Sequence, residues 1–154
     1  KLYCEKLLEN WSKENNIILQ ILRIGHIYGK GEEAYKKVIP VTIQKLKKGE
    51  NPQIFGIGDE KRSFLHVDDV SNLIMKSIEL QKYEGVINLC SSNSYTIKNI
   101  VEMLVEISTK KIQIDYIETE NRGVDFEFDT SKMNRLLGFE KINIKDGLAD
   151  EYFE

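Results

Sequence analysis

The sequence predicts an α/β fold that holds part of a parallel sheet. Three observations carry that expectation. Residues 17–22 and 85–90 are short, nearly unbroken apolar runs, as strands covered on both faces tend to be. Amphipathic helical patterns lie between and after those runs. Glycine and asparagine punctuate the joins, and no repeat, low-complexity tract or long linker interrupts the order β-α-β-β-α-β-α-β-α-α.

Residues 1–15 form the first helix, with Cys4, Leu7, Leu8 and Trp11 on one stripe and Glu5, Lys6 and Lys13 off it. Asn15 and Asn16 stop it. The apolar run from Ile17 continues as a strand to about Ile24 and leaves as a glycine-bearing loop, residues 23–31. Ligands of open α/β sheets sit beyond the carboxyl ends of strands, where this loop lies. Gly29 and Gly31 alone are better read as a plain turn. Residues 36–49 form a helix, with Pro40 in the first turn and Gly49 at its C′ position.

Residues 54–70 read as strand, turn, strand and helix start, a hairpin turned by Gly56-Ile57-Gly58-Asp59. Asp68 or Asp69 is suited to cap the following helix, residues 69–81, whose apolar face is Leu73, Ile74 and Ile78. Arg62 stands just before the second strand, where its fork of donors suits an anion; a surface arginine in an ordinary hairpin is the plainer alternative. Residues 85–90 form the second buried strand, expected to lie parallel to residues 17–24. After a polar loop, Thr96 caps a helix carrying Ile97, Ile100, Val101, Leu104 and Ile107 at core spacing. Residues 112–117 alternate like an exposed strand. Asp129 caps a short helix that Gly138 closes, and a last helix runs from about Ile144 to the end.

The 154 residues are one domain's worth, 41% hydrophobic and 31% charged, with a net charge of −3. The absence of a long basic run argues against nucleic acid. No apolar run approaches the roughly 20 residues of a membrane span. Two cysteines without a CxxC pattern suit a reduced, cytoplasmic setting. His26, His66, Asp68 and Asp69 match no common metal-ligand spacing, so no metal is expected. The chain opens inside a helical pattern without Met or signal peptide, as a piece of something longer would.

Residues 54–70 also resemble the F-G-D-G-x-x-x-R-D-F-x-x-V-x-D-V signature of the NAD-dependent epimerase/dehydratase family, the extended short-chain dehydrogenases that act on nucleotide sugars. Leu22-Arg23-Ile24-Gly25-His26-Ile27-Tyr28-Gly29-Lys30-Gly31 is similar to its L-R-x-x-N-V-Y-G-P-G. Val86-Ile87-Asn88-Leu89 resembles its V-Y-N-I-G, and Arg122-Gly123-Val124-Asp125 its R-P-G-D. Asp129-Thr130-Ser131-Lys132, Leu137-Gly138-Phe139 and Asp146-Gly147-Leu148 resemble its closing D-x-S-K, L-G-W and E-G-L. Each motif is weak alone; together, in the family's order and spacing, they are strong.

The resemblance implies the C-terminal part of such an enzyme, with the NAD-binding N-terminal half absent. Residues 1–31 and 85–95 would be the end of a Rossmann-type sheet, and 32–84 and 96–154 the small α/β substrate-binding part. It assigns Arg62 and Arg122 to the diphosphate of a UDP-, dTDP- or GDP-sugar, Asp125 to its ribose, Phe55 and Phe64 to the region of the base, and His26 to substrate. Lys1-Leu2-Tyr3-Cys4-Glu5 fits the family's K-L-x-x-E. Lys1 would then be the catalytic lysine that holds the nicotinamide ribose of NAD(H) or NADP(H) and helps a tyrosine ionise; a solvated helix lysine is the alternative. Ile24 and Gly25 would also touch the cofactor. The activity implied is epimerisation or dehydration through a 4-keto sugar, in a homodimer. His26 in place of Asn, Lys30 in place of Pro and Ser63 in place of Asp depart from the pattern. Those departures leave open a non-catalytic nucleotide-sugar binder, and a reductase of non-nucleotide substrates is the third reading.

Overall fold

In a computed structural model, residues 1–120, 123–138 and 141–154 are described. The chain runs α1 (Leu2–Glu14), β1 (Leu22–Ile24), β2 (His26–Tyr28), α2 (Val38–Lys48), β3 (Gln53–Phe55), β4 (Lys61–Arg62), β5 (Phe64–His66) and α3 (Val67–Ile78). It continues with β6 (Ile87–Leu89), β7 (Tyr95–Thr96), α4 (Ile97–Ser108), β8 (Asp115–Ile117), α5 (Ser131–Leu137) and α6 (Ile144–Phe153). No described helix is long and apolar enough to cross a membrane.

The expected parallel pair is present: β1 lies along β6 with Leu22 opposite Ile87 and Ile24 opposite Leu89. The strand is shorter than the apolar run, since Ile17 and Ile18 lie outside it and are 48% and 55% exposed. The hairpin expected over residues 54–70 does not form. Instead β3 pairs in parallel with β8, β4 pairs antiparallel with β7, and β5 pairs in parallel with β2. Gly56 and Gly58 do take positive φ, 71° and 69°. Their turn sends the chain away to a different partner because the Gly58 carbonyl accepts from Lys98 N–H, at the start of α4.

Two cores result. Leu65, Val70, Leu73, Ile87, Leu89 and Met133 gather between β5, β6, α3 and α5. Tyr28, Ile39, Leu46, Ile100, Leu104 and Leu148 gather between β2, α2, α4 and α6. The alternation of a strand explains how β5 serves both: Phe64 joins the second core and Leu65 the first. Burying residues of this size contributes about 1.5–3 kcal/mol each.

The helix signals are mostly legible. Thr96 makes a capping box with Asn99, and Gly49 closes α2 in the left-handed conformation at φ 77°. Ile100, Val101 and Leu104 are buried, with Ile97 and Ile107 packed beside them. Two readings are corrected. The N-cap of α3 is His66, whose Nδ1 accepts from Asp68 N–H at 3.3 Å, while Asp69 turns inward to accept from Ile142 N–H at 3.1 Å. Ile78 is 68% exposed, and the small Ser77 takes the buried place after Leu73. Thr130 is the N-cap position of α5, with the Asp129 carboxylate reaching Ser131 N–H at 2.9 Å.

Candidate functional site

The parallel register of β2 and β5 sets His26 opposite Phe64. Their rings lie 6.1 Å apart at the wall of a cleft of about 400 Å³. Gly25, Ile27, the start of α2, Arg62 and Ile97 also line it. Arg62 stands there because β4 is held antiparallel to β7, at the start of α4.

Arg62 is braced from the far side. Its Nη1 donates to Lys61 O at 2.9 Å and to Val124 O, and its guanidinium carbon lies 5.0 Å from the centre of the Phe126 ring. The segment after Gly123 follows β4: Phe126 N–H donates to Lys61 O at 3.0 Å, and Lys61 N–H donates to Asp125 Oδ1 at 2.9 Å. Nε and Nη2 of Arg62 make no hydrogen bond among the described residues, which leaves two donors of the fork for an anion. Arg122 lies outside the described residues.

His26 is held against Phe64 on one side and Phe126, 5.5 Å away, on the other. Burial lowers its pKa, and the neighbouring cations Arg62 and Lys37 lower it further, so the neutral imidazole is favoured. Its Nδ1 is buried, with no hydrogen-bond partner among the described residues. Glu32 also lines the cleft at only 6% exposure. Its Oε2 lies 3.1 Å from Lys37 Nζ, and its Oε1 is buried. Burial pushes the Glu32 carboxyl above its ordinary value while Lys37 holds it back.

The other predicted residues are spread more widely. Phe64 is buried and lines the cleft. Phe55 is 65% exposed at the end of β3, in a separate depression with Glu120 and Gly123. Asp125 is exposed, with one carboxylate oxygen committed to β4. Ile24 is 43% exposed at the carboxyl end of β1. Gly25 donates to Leu89 O at 3.0 Å and sits so close to Cys90 that a Cβ would lie 2.8 Å from its Sγ. Lys1 is exposed at the start of α1, outside the lining of the cleft. Of the departures from the resemblance, Lys30 pairs with Glu154 at 3.0 Å and Ser63 packs its hydroxyl 3.2 Å from that of Ser94. Among the described residues no group of side chains is arranged to hold a metal ion.

Sequence reasoning missed Glu32, Lys37 and Phe126. Glu32 lies in a polar loop without periodicity and Lys37 at the start of a helix, and no local signal separates them from Glu33 or Lys36. The alternation Phe126-Glu127-Phe128 was a usable signal for a segment lying along a strand.

The sequence profile described as the NAD dependent epimerase/dehydratase family matches residues 1–90. The chain is 30% identical over 129 residues to the dTDP-4-dehydro-6-deoxyglucose reductase of Escherichia coli, covering 80% of this chain and 41% of that protein. It is 25% identical over 154 residues to the dTDP-4-dehydro-6-deoxy-D-allose reductase of Streptomyces bikiniensis, covering 97% of this chain and 47% of that one. Among solved structures, it resembles the UDP-glucuronic acid 4-epimerase of Bacillus cereus in complex with UDP-glucuronic acid and NAD, with a TM-score of 0.83 and 26% identity. That match covers 99% of this chain and 50% of that one. The chain thus spans about half the length of the relatives it matches. With its parallel β1–β6 and β2–β5 pairs, and with residues 1–90 matched by the family's profile, the chain belongs to the NAD dependent epimerase/dehydratase family.

Proposed function

We propose that this chain is the nucleotide-sugar-binding half of an enzyme that acts through a transient 4-keto sugar, as an epimerase, a dehydratase or a reductase. The observation that carries the reading is Arg62, braced at the wall of the cleft with Nε and Nη2 of its fork making no hydrogen bond among the described residues. Charge-assisted Arg–phosphate bonds are short and directional, so such a fork suits a diphosphate. In this reading Arg62 and Arg122 grip the diphosphate of a UDP-, dTDP- or GDP-sugar. The second carboxylate oxygen of Asp125 accepts from the ribose, Phe55 lies toward the base, and His26 and Phe64 flank the sugar end of the cleft.

NAD or NADP supplies the hydride transfer when bound. On this chain Lys1, Ile24 and Gly25 are proposed to touch it. The exposed apolar side chain of Ile24, at the carboxyl end of a parallel strand, fits that use. The Lys1 ammonium would hold the nicotinamide ribose and lower the pKa of a tyrosine preceding it. The proposed division assigns residues 1–31 and 85–95 to the cofactor side and 32–84 and 96–154 to the substrate side. A cytoplasmic setting and a homodimer belong to the same reading.

The test is a calorimetric titration of the full-length protein with UDP, dTDP and GDP. One of them should bind, and Arg62→Ala should weaken that binding roughly 10–100-fold, the loss of a charged hydrogen-bond pair. Arg62→Lys should not restore it, because a point charge lacks the planar fork. Unchanged affinity in Arg62→Ala would remove the diphosphate from this cleft.

A further inference from the structure

We infer that the ion pair between Arg23 and Glu5 is a positioning clamp that sets Lys1 against the carboxyl end of β1 for the cofactor. The inference rests on the reading above in which Lys1 and Ile24 touch the nicotinamide cofactor, and it names the residues that place one relative to the other.

The face of α1 turned toward the rest of the chain is polar. Leu7, Leu8 and Trp11 are exposed, whereas Ser12 is buried and the side chains of Glu5 and Glu9 are only 18% and 15% exposed. Positions 5, 9 and 12 share one helical face. Apolar packing therefore does not seat this helix; its carboxylates do. Glu5 takes Arg23 of β1 in a two-pronged pair, with Nε 2.9 Å from Oε1 and Nη2 2.6 Å from Oε2. One turn later Tyr83 Oη donates to Glu9 Oε1 at 2.6 Å. Arg23 holds the Glu5 carboxyl below its ordinary value, so the pair stays charged at neutral pH.

Both partners of the Arg23 pair adjoin the cofactor side. Glu5 N–H donates to Lys1 O at 3.1 Å, the first backbone bond of α1, and Lys1 precedes Glu5 by four residues on the same face. Arg23 directly precedes Ile24, which is exposed at the end of β1. An ordinary surface ion pair contributes little stability. A planar fork on a carboxylate also fixes orientation, which a point charge does not. A helix turned by one residue would offer Arg23 either Cys4 or Lys6, and neither is a carboxylate. The pair thus sets the rotation of α1 as well as its distance from β1, and with them the place of Lys1.

The test titrates the full-length protein with NADH and NADPH, followed by their fluorescence, and with UDP, dTDP and GDP by calorimetry. Arg23→Gln should weaken the dinucleotide that binds at least about 3-fold and leave the nucleoside diphosphate unaffected. Arg23→Lys keeps the charge without the fork and should lose less; it also serves if Arg23→Gln does not fold. On a Lys1→Ala background Arg23→Gln should cost nothing further, because the pair acts through Lys1. Full dinucleotide affinity in Arg23→Gln overturns the inference. So does an equal loss for both kinds of ligand, the mark of a generally loosened chain, and so does a further loss on the Lys1→Ala background. Failure of both dinucleotides to bind, or unchanged binding in Lys1→Ala alone, is a different result: it overturns the cofactor reading of Lys1 on which the inference stands.

Discussion

Gly147→Ala tests the packing that holds the last helix against the strands of the site. Gly147 is buried in α6 and faces the hydroxyl end of Tyr28. A Cβ there would fall on Tyr28 Oη, with Tyr28 Cζ and His66 Cδ2 each 3.0 Å away. The tyrosine is not a flexible tip that can swing aside. It is 2% exposed, and its ring stands edge-on to Phe64 at 6.3 Å and to His66 at 5.2 Å. Overpacking of this kind costs about 1–3 kcal/mol, and a rigid aromatic neighbour puts it near the upper end. Alanine returns about 1 kcal/mol of helix propensity over glycine. The net expectation is a loss of about 2 kcal/mol, or about 4–8 °C in Tm for a chain of this size. Thermal unfolding followed by circular dichroism measures it. Adding Tyr28→Phe to Gly147→Ala removes the atom most in conflict and should recover more than half of the loss. A Tm that rises in Gly147→Ala would show that propensity alone governs the position, and the close approach of α6 to β2 would be wrong.

Two further predictions follow. Glu151 is 8% exposed, and its pKa is pushed up to about 7 by burial first and then by the nearby Glu32 carboxylate, with Glu33 and Glu154 adding to the rise and Gly29 N–H opposing it. A carboxyl raised in the folded state contributes stability that is present below its unfolded value near 4.5 and is lost as pH rises through about 7. Denaturant titrations should therefore find the protein up to about 3 kcal/mol less stable at pH 8 than at pH 5 on this account. Glu151→Gln should flatten that dependence, and an unaltered slope in the variant would place the titration elsewhere. Separately, Leu7, Leu8 and Trp11 are 57%, 46% and 50% exposed on one stripe of α1. Exposed apolar patches of this kind favour association. Light scattering of this chain should show concentration-dependent self-association that Trp11→Glu weakens; a monomer at every concentration would contradict the expectation.

The parts of the fold legible in the sequence are those with local physics. Thr96 followed by Asn99 announces a capped helix, Gly49 announces a left-handed stop, and the unbroken apolar runs announce β1 and β6. What was misread was misread for physical reasons. Gly56 and Gly58 prescribe a turn, but a turn specifies only a change of direction, and α4 captures the chain through Lys98 N–H before a hairpin can close. Asp68 and Asp69 are both good N-cap residues. A histidine two positions before Asp68 takes the cap, while Asp69 accepts from the Ile142 amide in the interior. Nothing near position 69 in the sequence states that contact.

The candidate site shows the same divide more sharply. His26, Tyr28, Phe64 and His66 share one side of the β2–β5 pair, while Ile27 and Leu65 point to the other and join the first core. Slipping this register by one residue would turn the strand over and exchange those sets. The aromatic wall of the cleft therefore depends on a pairing between residues about forty positions apart, which no local motif encodes. Arg62 depends on two more such pairings, β4 with β7 and β4 with the segment from Val124 to Phe126. The motif residues could be named from the sequence because their types carry chemistry. Glu32 could not be, because what marks it is its burial beside Lys37, and that burial exists only once the rest of the chain has folded around it.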